Sequence, residues 1–115
     1  MVDQEITARV RAYLGELSAE GIDPSFAVVF GSYATGHATE WSDIDVVVVA
    51  RRFDATIRWD DVSVLWCVAA RVDSRIEPIA CGERQWTEDD SSAIIEIARR
   101  EGQRIDVEEV ELPHI

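Results

Sequence analysis

The segment Phe30-Gly31-Ser32-Tyr33-Ala34-Thr35-Gly36-His37-Ala38-Thr39-Glu40-Trp41-Ser42-Asp43-Ile44-Asp45-Val46 decides the reading of this chain. To its left, Phe26 to Phe30 is wholly apolar, and to its right Val46 to Ala50 is again unbroken apolar residues. Short apolar runs rich in Val and Phe read as strands buried on both faces. The link between them, Ser32 to Ser42, is small and polar. It starts on a Gly-Ser corner and ends on Asp-x-Asp.

Working outward, Ile6, Val10, Leu14 and Leu17 recur at helical spacing between Asp3, a candidate N-cap, and Gly21, a stop signal. They predict an amphipathic helix over about residues 4–19. Asp23-Pro24 predicts a turn. After the central strand, apolar residues at Val62, Leu65, Trp66, Ala69 and Val72 predict a second long helix from about Ile57. Packing is the expected use of Trp59 and Trp66 there. Arg75 to Cys81 reads as a further strand, which Pro78 places at an edge or a bend. Thr87 to Asp90 offers N-caps for a last helix through Arg100 with Ile94, Ile97 and Ala98 on its apolar face, and Gly102 ends it. A final edge strand is expected over Gln103 to Leu112. The sum is an α/β fold in which helices pack against a small mixed β-sheet.

The length of 115 residues predicts a single domain, 1–115. No apolar run approaches the roughly 20 residues of a membrane span, and the polar N-terminus lacks a signal-peptide core, so no membrane and a cytoplasmic location are expected. Cys67 and Cys81 lie in apolar stretches without metal-ligand spacing and are expected to be reduced and buried. Acidic residues number 23 against 11 basic ones, for a net charge of −12 at pH 7. Such a surface repels long nucleic acid. All the basic residues are arginine, which excludes a Walker A lysine, a kinase strand lysine and a Schiff base. His37 and Ala38 stand where a P-loop would need Lys and a hydroxyl residue.

Asp43 and Asp45 are two residues apart at the head of a strand, so alternation puts both carboxylates on one face with Ile44 turned into the core. Two like charges that close repel unless a divalent cation lies between them, and Mg²⁺ or Mn²⁺ favours such oxygen ligands. Gly31 follows a buried strand and Ser32 opens a turn, offering free N–H groups and a hydroxyl to an anion. A side chain at Gly31 would keep phosphates from the backbone. Either feature alone is commonly an ordinary turn. Strand, Gly-Ser, ten intervening residues, Asp-x-Asp and strand in that order form a far more specific pattern.

This pattern resembles the nucleotidyltransferase superfamily typified by DNA polymerase β, and within it the minimal nucleotidyltransferases of bacteria and archaea. The resemblance spans most of the chain and centres on GSYATGHATEWSDIDVVVV. It implies that Gly31 and Ser32 contact the triphosphate of ATP or another NTP, and that Asp43 and Asp45 bind two Mg²⁺ or Mn²⁺ ions. The family adds a third carboxylate on a later strand, commonly Asp. Here Glu77 takes that position, with alternation turning it away from Ile76 and Pro78, as a metal ligand and acceptor of the nucleophile's proton. The resemblance further implies transfer of a nucleoside monophosphate, AMP foremost, to a hydroxyl on a partner protein. The expected partner is a HEPN-domain ribonuclease toxin, with this chain as its antitoxin. Two other readings stay open: an antitoxin that binds without turnover, and a small-molecule nucleotidyltransferase of the aminoglycoside-modifying kind. Arg51, Arg52 and His37 are expected to be solvated loop or strand-exit residues, and Trp41 is the tryptophan nearest the aspartates.

Overall fold

The computed structural model describes residues 2–88 and 92–107. Helix α1 runs Gln4–Ala19, strand β1 Phe26–Phe30, the short helix α2 Ser32–Thr35 and strand β2 Ile44–Val49. A 3₁₀ turn at Arg51–Phe53 leads to helix α3, Trp59–Val72, and strand β3, Ile76–Cys81. Helices α4, Glu83–Glu88, and α5, Ala93–Glu101, precede strand β4, Gln103–Asp106.

The four strands form one mixed sheet in the order β3-β2-β1-β4. β1 is antiparallel to β2 and to β4, whereas β2 and β3 run parallel. A parallel pair needs a long crossover, which α3 supplies. Pro78 lies in β3, at the edge of the sheet, where a missing N–H costs least.

Both faces of the sheet are covered, which is why β1 is apolar at every position. On one face Ala27, Val29, Ile44, Val46, Val48 and Ile76 pack against α1 and α3. α1 and α3 are joined by Tyr13, whose buried hydroxyl donates to the Leu65 carbonyl at 2.8 Å. On the other face Phe26, Val28, Phe30, Val47, Val49 and Cys81 meet Ile95 and Ala98 of α5 and Trp86 of α4. α1 begins as expected, with the Asp3 side chain accepting from the Glu5 amide at 2.8 Å. No helix among the described residues is long and apolar enough to cross a membrane.

Several expectations need correction. The expected last helix is α5, capped by Ser92, which accepts from the Ile95 amide, and a helix not expected, α4, precedes it over Glu83–Glu88. Thr87 lies inside α4, and the other expected caps, 88–90, are partly outside the described residues. Trp86 of α4 packs edge-on against Phe26, 5.8 Å between ring centroids. α5 buries Ile95 and Ala98, leaving Ile94 and Ile97 exposed at 49% and 37%, because it rests on the side chains of β1. Trp59 and Trp66 do not pack into the core: they are 79% and 48% exposed. α3 instead buries Asp61, Leu65, Val68 and Ala69, Asp61 pairing with Arg52 at 3.0 Å. Cys67 shares the outward side of that helix and is exposed, while Cys81 is buried as expected. The expected final strand is present to Asp106, and its remainder from 108 lies outside the described residues.

Candidate active site

Strand pairing brings the candidate residues together at one end of the sheet. Phe30, the last residue of β1, stands opposite Asp45 on β2, and Asp45 stands opposite Glu77 on β3. Paired residues share a face, and alternation from Asp45 to Val47 and Val49 sets that face as the one bearing α5. Asp43 is exposed one residue before β2, so Asp43, Asp45 and Glu77 crowd into one corner.

Their mutual influence is electrostatic. Partial burial pushes the Asp45 carboxyl above its ordinary value, the charge of Asp43 pushes it further, and a hydrogen bond with Glu77 partly offsets both. Glu77 is likewise raised, first by desolvation, then by the charge of Asp43 and hydrogen bonding to it, and then by Asp45. Among the described residues no three His, Cys, Asp or Glu side chains are arranged so that they could hold a metal ion by themselves. An open set of carboxylates is what Mg²⁺ uses when waters and substrate phosphates complete its shell.

Gly31 is fixed by two constraints. Its φ is +73°, a conformation side chains rarely adopt, and a Cβ there would run into the Asp45 carboxylate oxygen and stand 3.4 Å from its Cγ. The backbone then turns into α2, where the amides of Ala34 and Thr35 return to the Gly31 carbonyl, each at 3.1 Å. The amides of Ser32 and Tyr33, first in that helix, have no acceptor within it. Gly31→Ala is therefore expected to destabilise the chain by about 1–3 kcal/mol. Urea unfolding checks this; a midpoint equal to wild type would mean that the turn relaxes without strain.

From Gly36, with φ +81°, the chain reaches Asp43 through a turn closed by Thr39 N to Ser42 Oγ at 2.9 Å and Ser42 N to Thr39 O at 3.0 Å. This turn presents Trp41, 86% exposed, two residues from Asp43. His37 is exposed and its Nδ1 meets Thr35 Oγ1 at 3.1 Å, as befits a solvated loop residue. Arg51 and Arg52 lie beyond the opposite end of β2. There Arg52 bonds the Gly21 carbonyl and Asp61, Arg51 approaches Glu83 at 3.8 Å, and the two arginines border a cavity of about 420 Å³.

Sequence reasoning missed the residues that brace this corner. Arg75 grips Asp73 with two hydrogen bonds and reaches Tyr33, 42 positions away in the chain. The guanidinium holds the Asp73 carboxyl below the ordinary range.

The nucleotidyltransferase domain family matches residues 9–111, and the chain belongs to that family. It is similar in fold to a protein from Sulfolobus solfataricus described as a candidate nucleotidyltransferase, with a TM-score of 0.60 at 15% identity over 87% of this chain and 78% of that one. It is also similar to a chain in a toxin–antitoxin structure with AMP-PNP, with a TM-score of 0.58 at 20% identity over 85% of this chain and 73% of that one. No curated protein matches the sequence significantly.

Proposed function

We propose that this nucleotidyltransferase moves a nucleoside monophosphate, AMP foremost, from an NTP to a hydroxyl of a partner protein, acting as the antitoxin of a toxin–antitoxin pair. The observation that carries the chemistry is the meeting of Asp43, Asp45 and Glu77 beside a glycine whose missing Cβ leaves room for the Asp45 carboxylate.

The carboxylates suit a divalent metal: desolvation and then the charge of Asp43 raise both Asp45 and Glu77, and a bound cation would offset that penalty. Asp43 and Asp45 would hold two Mg²⁺ or Mn²⁺ ions and Glu77 would complete one shell. Bound there, the metals supply Lewis acidity toward the charge of the triphosphate. The chain's own groups do the rest. The free amides of Ser32 and Tyr33 and the Ser32 hydroxyl bind phosphate oxygens. Glu77 takes the proton of the acceptor hydroxyl as its oxygen bonds to the α-phosphorus. The bond from the α-phosphorus to the bridging oxygen breaks, and pyrophosphate leaves.

A protein acceptor is favoured by charge and by the likeness to a toxin–antitoxin structure. A net charge of −12 attracts a basic surface, such as that of an RNA-cleaving HEPN-domain toxin in the cytoplasm, and repels long nucleic acid. A nucleotide added near the toxin's RNA-binding groove would place a negative phosphate where RNA phosphates must sit.

The test incubates the chain with the toxin and Mg-ATP, measures the toxin's intact mass, then separates the two and assays RNA cleavage. A gain of one or more AMP units with inhibition that outlasts separation is expected. Unchanged mass with inhibition only while bound would replace this reading with a binding antitoxin.

A further inference from the structure

Tyr33 stands between the parts that carry the site. Its phenol oxygen accepts a hydrogen bond from Arg75 Nη1 at 3.1 Å and donates to the Thr39 carbonyl at 3.3 Å. Arg75 is anchored in turn, with Nε on Asp73 Oδ1 at 3.0 Å and Nη2 on Asp73 Oδ2 at 2.6 Å. Its guanidinium lies 6.0 Å from the centre of the Tyr33 ring. The Arg75 carbonyl accepts from the Ile44 amide at 2.7 Å, between the two aspartates, and Glu77 is two residues further on.

Arg75 is therefore linked, directly or through Tyr33, to every segment of the corner. Its backbone joins the heads of β2 and β3, its side chain reaches Tyr33 in the turn that starts at Gly31, and Tyr33 in turn bonds the loop that leads to Asp43. Sheet pairing already fixes two of the carboxylates, Asp45 opposite Glu77. α2 has only four residues and no side-chain cap, so little in its own structure sets its distance from them. A planar guanidinium with donors in three directions suits that task, because its fork is rigid before any bond forms.

We infer that Arg75 is a positioning residue: through Tyr33 it holds the Gly31-Ser32 turn and the loop at Thr39 against the head of β3, and so sets nucleotide affinity without touching the nucleotide. The nucleotide half rests on the transfer reading above. The holding of the turn does not.

The test compares Arg75→Met, Tyr33→Phe and the double variant with wild type in the full chain. Amide hydrogen exchange over residues 33–42 should quicken about tenfold in each, with the amides of β1 and β2 unchanged. The dissociation constant for Mg-ATP, by calorimetry, should rise about tenfold, the scale of one lost charge-assisted hydrogen bond. The double variant should be no worse than Arg75→Met, since both break one chain of contacts. Mn²⁺ binding without nucleotide should weaken less than Mg-ATP binding, because Asp45 and Glu77 stay fixed by the strand pairing. A general loss of structure would weaken metal and nucleotide together.

Exchange equal to wild type would overturn the inference. Quickened exchange with wild-type Mg-ATP affinity would overturn its nucleotide half. Quickened exchange while even wild type fails to bind Mg-ATP would support the bracing role and count against the transfer reading instead. Should Arg75→Met not fold, Tyr33→Phe, which removes one oxygen and keeps the ring, decides by the same two measurements.

Discussion

Asp43→Asn combined with Asp45→Asn is expected to lower nucleotidyl transfer by at least about 10³-fold, since each amide removes a negative charge that, on the proposed reading, holds the metals that neutralise the triphosphate. The same variant should lose the thermal stabilisation that Mg-ATP confers. A ligand at 100 times its dissociation constant adds about 2.7 kcal/mol, a rise on the order of 10 °C for a domain of this size. Without ligand the sign reverses. Asp45 and Glu77 have raised carboxyl pKa values in the folded chain, so the folded state holds their protons more tightly than the unfolded state does. Stability from this source is present at low pH and is lost as pH rises from the ordinary carboxylate value through the raised folded value. At neutral pH the wild-type corner is thus a net cost, and the double variant, freed of it, should melt no lower than wild type. Calorimetric scans with and without Mg-ATP check both halves. Wild-type nucleotide stabilisation in the double variant would move the metal site away from these two aspartates.

The legible parts of the fold were those where one local signal had no rival. Asp3 followed by apolar residues at helical spacing admitted a single helix, and the apolar runs at Phe26–Phe30 and Val46–Ala50 admitted only buried strands. α3 was legible as a helix but not in orientation. It carries apolar side chains on opposite sides, and only the packing of α1 and β3 determines that Leu65 is buried and Trp66 is not. The helix Glu83–Glu88 was not legible, because six residues with none buried show no apolar period. In the site, Gly-Ser, Asp-x-Asp and the alternation at Glu77 could be read because each is local to one element. The close approach of Gly31 to Asp45 and the grip of Arg75 on Tyr33 could not, because both depend on distances between elements that no spacing encodes.

On the proposed reading, with a toxin as acceptor, Glu77 is the residue that separates a catalyst from a binding antitoxin, and Glu77→Gln should slow transfer by about 10²-fold while leaving Mg-ATP binding nearly intact. Gln keeps the length and shape of the side chain on β3, opposite Asp45, so the sheet has no reason to rearrange. It cannot take a proton from an incoming hydroxyl. It also removes a carboxyl that desolvation and then the charges of Asp43 and Asp45 hold above its ordinary value, a cost to the folded chain at neutral pH, so the apo chain should be no less stable. A loss of turnover in a chain that is no less stable and still binds nucleotide cannot be attributed to misfolding. Single-turnover transfer onto the toxin, read by mass, gives the rate directly, and calorimetry gives the affinity. Turnover equal to wild type would remove Glu77 from the mechanism and leave proton removal to another group. A mutant and a wild type that both bind Mg-ATP yet never modify the toxin would mean that the carboxylates hold nucleotide for binding alone.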